Sequence, residues 1–282
     1  MLSASQIAEA VAGAIPRIAC SLRPDALASL QLAAASERSE RGRAILEQLI
    51  ANAEIARADS VPLCQDTGTV WVRIELGVSE CLCGDLQSEI DAAVAQAYRD
   101  AKLRMSVVRD ALFDRINTGT NTPAFVEVAH AAHPGTGATV HVMLKGGGSD
   151  NASRVEMLPP GAGIEGVRRV VLETVEAGAT GACPPLLVGV GVGSTFDKVA
   201  GLAKRALLRP IGQEPVGPSI AALEAELLAA INATGIGPSG LGGDTTALAV
   251  HVLTAPCHIA ALPVAVNLGC SAVRSATFQV GA

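Results

Sequence analysis

Apolar residues recur at helical spacing through the first third of the chain. Ile7, Val11 and Ile15 predict a helix over 3–14 and Leu27, Leu30 and Leu32 a second over 24–35; Ile45, Leu46, Leu49 and Ile50 predict a third over 38–57. A β-rich run over 69–76 follows, and then Ile90, Val94 and Tyr98 share one face of a helix over 86–103. Strands are predicted over 125–130 and 137–144, around a turn at His133-Pro134-Gly135. Beyond the polar loop 145–151, the pattern gives a helix over 163–177, a buried strand over 186–192, and helices over 195–208 and 217–231. Two further β-rich runs cover 245–254 and 259–266. No repeat period and no low-complexity linker interrupts the chain. The fold class is mixed α/β, with a helix-rich N-terminal third and then strands and helices around a pocket. The reading is one domain over 1–282 that could divide into two lobes.

Most of the 29 glycines gather around Gly68, at 146–148, at 189–193 and at 235–243. Glycine permits positive φ and close approach of backbone to a ligand, so these loops could wall one pocket; tight turns explain each of them singly. Gly189-Val190-Gly191-Val192-Gly193 follows an apolar run and precedes a helix, as a dinucleotide loop does. Its spacing is G-x-G-x-G, however, and the region about 20 residues on, at Arg209-Pro210, offers no acidic residue for a ribose. Close packing of strand on helix is the better reading, and with it a NAD-dependent hydroxy-acid dehydrogenase loses its main support. Lys145-Gly146-Gly147-Gly148-Ser149 has its lysine before the glycines, not after them as a Walker A loop requires. Its successive backbone N–H groups could still form a nest for an anion.

Composition narrows the class. The formal charge is −6, and nothing resembles a basic patch for nucleic acid. Charged residues make up only 17% of the 282 positions, below the usual quarter, and the mean hydropathy is +0.38. No run of about 18 apolar residues lacks Gly, Pro or charge, so no membrane span is expected. The start of the chain carries Glu9 and no basic signal-peptide region. These features predict a cytoplasmic subunit whose surplus apolar surface is covered in an oligomer.

Seven cysteines in a chain without an export signal disfavour a disulfide framework. Cys20, Cys81, Cys83 and Cys257 read as structural thiols, since buried Cys behaves as a small hydrophobe. Cys64, Cys183 and Cys270 stand in Gly/Pro-rich apolar settings: Cys64-Gln65-Asp66-Thr67-Gly68, Gly181-Ala182-Cys183-Pro184-Pro185 and Asn267-Leu268-Gly269-Cys270-Ser271. Residue chemistry leaves two readings open: three separate structural thiols, or one soft-metal site holding three corners of an iron–sulfur cluster. Among the histidines, His258 lies in Ala255-Pro256-Cys257-His258-Ile259-Ala260, upstream of the third of these cysteines; it is a core histidine or a member of the site. His130, His133, His141 and His251 form no metal-ligand spacing. Ser149 lacks the G-x-S-x-G elbow of a hydrolase.

Cys64-Gln65-Asp66-Thr67-Gly68, Asn121-Thr122-Pro123, Lys145-Gly146-Gly147-Gly148-Ser149, Cys183-Pro184-Pro185 and the segment from His258 to Cys270 occur in this order. With them the chain resembles, over nearly its whole length, the α subunit of the class I, iron–sulfur-dependent fumarate hydratase and L-tartrate dehydratase family. The resemblance implies that Cys64, Cys183 and Cys270 hold a [4Fe–4S] cluster with one iron open to substrate. It implies Gln65, Arg104 (in Leu103-Arg104-Met105-Ser106), Gly146 and Gly147 as substrate contacts, and Asp66 and His258 as the catalytic pair. Ser271-Ala272-Val273-Arg274 departs from the pattern, which leads one to expect another polar residue there, and Arg274 receives no ligand contact from it. In single-chain members a second domain follows, supplying the carbon base and further cations. A separate β subunit is therefore expected, in an α2β2-type assembly. The implied activity is reversible dehydration of a 2-hydroxy-dicarboxylate, (S)-malate to fumarate first, with L-tartrate or mesaconate chemistry as alternatives. A redox or sensor iron–sulfur protein is the alternative of a different class; it would want a fourth cysteine ligand and have no use for Gln65, Asp66 and Arg104.

Overall fold

A computed structural model describes residues 1–131 and 135–281. His133 and Pro134 of the predicted turn lie outside the described residues. In chain order the elements are β1 (Leu2–Ser3), α1 (Ala4–Cys20), α2 (Pro24–Ser36), α3 (Glu40–Asp59), β2 (Thr69–Leu76), β3 (Leu82–Cys83), α4 (Leu86–Asp100), β4 (Phe125–His130) and β5 (Ala138–Lys145). Then come α5 (Gly147–Asn151), β6 (Arg154–Leu158), α6 (Gly163–Gly178), β7 (Leu186–Ser194), α7 (Phe196–Ala206), α8 (Pro218–Ala233), β8 (Ala247–Cys257), β9 (Leu262–Gly269) and β10 (Ser275–Val280). The fold is mixed α/β, as the pattern predicts.

The chain divides into two compact units. The first comprises Met1–Arg23, Ala53–Gly147 and Arg274–Ala282, and the second Pro24–Asn52 and Gly148–Val273. In the first unit, a four-stranded sheet runs in the order β10-β5-β2-β4. β2 pairs antiparallel with β5 and parallel with β4, and β10 pairs antiparallel with β5. Strand residues alternate between faces, so Val70, Val72, Ile74 and Leu76 all point one way. They meet Val140, Val142 and Leu144 of β5, Ile7, Val11 and Ile15 of α1, and Ile90, Val94 and Tyr98 of α4 in one core. α1 starts with a capping box, in which Ser3 accepts from the Gln6 N–H and Gln6 accepts from the Ser3 N–H.

The second unit has its own four-stranded sheet, in the order β6-β9-β7-β8. Val170, Val171 and Val175 of α6 and Leu227 and Ile231 of α8 pack against Val188, Val190, Val250 and Val266 of the sheet. The other face receives α7 through Val199, Ala203 and Ala265. Here the glycine-rich strand finds its purpose. A Cβ on Gly189 would lie 2.3 Å from the Ala203 carbonyl oxygen, and one on Gly191 would lie 2.7 Å from that of Val199. The glycines let α7 lie directly on β7, which is the packing reading of the sequence.

Four strands go beyond the sequence reading: the two-residue pair β1 and β3, and the longer β6 and β10. β6 is an edge strand whose Arg154 and Glu156 join Arg169 and Glu173 in a surface ion-pair group, so its pattern reads as polar loop. β10 alternates small or polar residues with Phe278 and Val280 just past the last segment read as β. One segment, Pro218–Gly240, is long and apolar enough to qualify as a membrane span by length and composition, which the sequence reading did not expect. Its helix, α8, has 16 residues, about 24 Å, short of a hydrocarbon core of about 30 Å. It carries Glu224, which accepts from the Val252 N–H at 2.6 Å and pairs with Arg209, so the helix is tied to the sheet of its own unit.

Candidate functional site

The turn before β2 carries Cys64, Gln65 and Asp66. Gly68, at φ +82°, ends it; a Cβ there would stand 2.7 Å from the Lys145 carbonyl, so the turn lies flat against the end of β5. The Asp66 carboxylate is held at both oxygens. Oδ1 accepts from the Gly68 N–H at 3.1 Å and Oδ2 from the Gly147 N–H at 2.8 Å, with the Ser106 hydroxyl at 3.5 Å from Oδ1. Backbone N–H donors of this kind hold a carboxylate in one orientation.

Beneath the turn lies a buried polar web. Thr67, Tyr98 and Asn121 are almost fully enclosed. The Tyr98 hydroxyl is 3.2 Å from the Thr67 carbonyl and 3.0 Å from that of Gly68, which also accepts from Asn121 Nδ2 at 3.1 Å. Asn121 Oδ1 accepts from the Ser106 N–H at 2.6 Å, and the Thr67 hydroxyl donates to the Arg104 carbonyl at 2.5 Å. The turn at 65–68 and the segment at 104–106 are thus tied through shared buried groups. Burial pushes the Tyr98 phenol far above its ordinary range, so it remains a proton donor across the physiological pH range. Arg104 itself is exposed; one guanidinium nitrogen donates to Gln65 Oε1 at 3.0 Å. The first unit therefore brings together Cys64, Gln65, Asp66, Arg104, Gly146 and Gly147.

In the second unit, Cys183 ends a short 3-10 turn with φ +56°, a left-handed conformation that non-glycine residues seldom adopt, and it is exposed. Cys270 follows β9. The Ser271 N–H donates to the Cys183 carbonyl at 3.1 Å, so the loops carrying the second and third cysteines are joined by their backbones. His258 is not part of this arrangement. It lies in the connection between β8 and β9, which flank β7 on opposite sides, and the eight residues of β9, about 25 Å of strand, separate it from Cys270. Its Nδ1 accepts from the Ala260 N–H at 3.0 Å. Together with Ile259 and Ile164 it lines an apolar groove of about 440 Å³. The resemblance assigns His258 to catalysis; within its own unit, β9 sets it well apart from the third cysteine.

None of the seven cysteines is in a disulfide. Among the described residues, no three His, Cys, Asp or Glu side chains are grouped as ligands for a single ion. A four-iron cluster spreads its thiolates more widely than one ion does. An exposed Cys183 whose loop is bonded to that of a half-buried Cys270 offers thiols, a soft donor set that fits an iron–sulfur group. The supporting residues Tyr98, Thr67 and Arg274 escaped the sequence reading. Tyr98 carried a signal, being the only tyrosine of the chain, yet its place on an apolar helix face makes it look like plain core.

Residues 8–279 match the family model described as fumarate hydratase (fumerase). A Methanocaldococcus jannaschii protein named "Putative L(+)-tartrate dehydratase subunit alpha" is 38% identical over 279 residues, 98% of each chain. The L(+)-tartrate dehydratase subunit alpha of Escherichia coli strain UTI89 is 36% identical over 280 residues, covering 99% of this chain and 92% of that one, and the strain K12 protein of the same name matches equally. The match embraces every residue of the Asp66 turn and both cysteine loops of the second unit, and the chain belongs to the fumarate hydratase family, as a hydro-lyase.

Proposed function

We propose that this chain is the α subunit of a two-subunit iron–sulfur hydro-lyase that reversibly dehydrates a 2-hydroxy-dicarboxylate. The carrying observation is the Asp66 carboxylate, fixed between two backbone N–H groups beside an exposed arginine. Such a carboxylate is placed to pass a proton to or from a departing hydroxyl oxygen. Arg104, with Gln65 orienting it, would hold a substrate carboxylate in fork geometry. The N–H of Gly147 is engaged by Asp66, so Gly147 serves by orienting that carboxylate, while the loop at Gly146 lies along the bound substrate. Cys64, Cys183 and Cys270 would supply the thiolates. A [4Fe–4S] cluster so held supplies Lewis acidity toward a hydroxyl and a carboxylate oxygen. The carbon base would belong to a β subunit, in keeping with relatives named as subunit alpha. His258, at the far end of β9 from Cys270, takes no step in this proposal.

Within the substrate class, the names of the relatives favour L-tartrate over the (S)-malate first expected from the sequence. The test is co-expression with the β subunit, anaerobic reconstitution, and turnover on L-tartrate, (S)-malate, fumarate and mesaconate. Conversion of L-tartrate to oxaloacetate well above the other rates is the expected result. Preference for malate and fumarate would correct the substrate and keep the chemistry. No dehydration of any of them by an iron-loaded complex would overturn the reading.

A further inference from the structure

Arg274 follows the third cysteine in sequence, yet its side chain lies in the first unit, 3% exposed. Nη1 donates to the backbone carbonyl of Asp66 at 2.5 Å. Nη2 faces Gly146: a Cβ on that glycine would lie 3.3 Å from Nη2 and 3.3 Å from Asp66 Oδ2. Nε is buried without a hydrogen-bond partner, and Arg274 forms no ion pair among the described residues. A buried guanidinium with one bond and no carboxylate is a poor choice for stability alone, because desolvation of the charge goes largely uncompensated. The same cation acts on the Tyr98 phenol, partly opposing the effect of burial there, so its field reaches the web under the turn.

We propose that Arg274 is a positioning residue for Asp66. The backbone N–H groups of Gly68 and Gly147 hold the carboxylate from its two oxygens, and Arg274 holds the same residue by its main-chain carbonyl. Three points of attachment leave Asp66 one orientation. Gly146 has no side chain, and so the space between the guanidinium and the carboxylate stays open. The inference rests on the assignment of Asp66 given under the proposed function.

The experiment uses the anaerobically reconstituted complex with its β subunit. kcat, KM and iron content are measured for Arg274→Met, Arg274→Lys, Asp66→Asn and the Arg274→Met/Asp66→Asn double variant. Arg274→Met should lower kcat by about 10–100-fold, the usual effect of removing a group that orients another, with KM within about threefold and iron unchanged. Arg274→Lys keeps the charge and one donor, and should recover part of that loss. In the Asp66→Asn background Arg274→Met should cost less than about twofold, because a residue acting through Asp66 has nothing left to position. Wild-type kcat in Arg274→Met would overturn the inference. So would a tenfold rise in KM at constant kcat, which marks a substrate clamp, or a full additional loss in the double variant. If Arg274→Met does not assemble, Arg274→Lys decides: a kcat loss of at least about threefold at constant KM supports the inference, and wild-type kcat defeats it. Near wild-type turnover in Asp66→Asn alone would instead sink the assignment of Asp66, whatever Arg274 does.

Discussion

Asp66 and His258 both sit in turns next to strands, and both are assigned to catalysis by the family resemblance. Their surroundings are of opposite kinds. Around Asp66 the backbone carbonyls are met by Tyr98, Asn121 and Arg274, all buried, and the carboxylate is met by the N–H groups of Gly68 and Gly147. Around His258 every residue from Pro256 to Ala260 is exposed, and the imidazole is engaged by one N–H of its own turn. A buried polar web is costly unless each member is satisfied, and a satisfied one fixes geometry. The comparison therefore separates a residue built into place from one whose place depends on the surface alone.

The largest effect should come from the built turn. Asp66→Asn should keep the iron content of the reconstituted complex and lose about 10²–10⁴-fold in turnover, the usual contribution of a positioned acid or base. Steady-state rates beside an iron assay check both parts. If turnover stays near wild type, the elaborate support of this carboxylate has a purely structural purpose. Next in size is Gly189→Ala, in the second unit. Its methyl would meet the Ala203 carbonyl oxygen at 2.3 Å, a backbone atom that cannot swing aside, with the Leu207 side chain 3.0 Å away. A destabilisation of about 3 kcal/mol is expected, read from denaturant unfolding. A neutral outcome would mean that α7 can lift from β7 freely.

How much of this could be read in advance differs between the two regions for the same physical reason. Apolar periodicity located both cores, since Ile90, Val94 and Tyr98, or Val170, Val171 and Val175, repeat with the geometry of the element they occupy. Cys64 to Gly68 stood out because three reactive polar groups beside Pro62 and Gly68 need a turn to present them. The support beneath could not be read this way. Tyr98 reaches back 30 residues to the Gly68 carbonyl and Arg274 reaches back 208 to that of Asp66, and neither distance leaves a mark in local pattern. β6 was hidden by charges that an edge strand tolerates and a central one does not. The distance between His258 and Cys270 is likewise set by β9 and leaves no mark in the local pattern around either residue.

Tyr98→Phe sharpens the comparison at moderate size. It removes the donor to the Thr67 carbonyl in a fully buried place, and should cost about 1–3 kcal/mol, seen as a lowered unfolding midpoint, together with slower turnover at unchanged KM. Loss of stability with undiminished kcat would show that the web supports the fold but not the aim of Asp66. The smallest effect is expected for His258→Ala, whose turn is open to solvent. Its thermal midpoint should stay within about 2 °C of wild type, as for surface substitutions in general. A drop of many degrees would reveal that the β8–β9 turn is covered by something that depends on it.

The interrupted path of the first unit also sets an order of assembly during translation. β5 is complete once Lys145 has been made, but its partner β10 begins only at Ser275, after the whole of Gly148–Val273. At ribosomal rates of about 5–20 residues per second, that edge of the sheet waits on the order of ten seconds for its neighbour. An unpaired strand edge invites wrong partners for as long as it waits. Arg274 arrives in the same late stretch, so the Asp66 turn cannot take its final form on a nascent chain that has yet to pass the third cysteine. The sheet of the second unit has no such delay, since β6, β7, β8 and β9 lie within one unbroken segment; only its helices α2 and α3 are made earlier and wait for it.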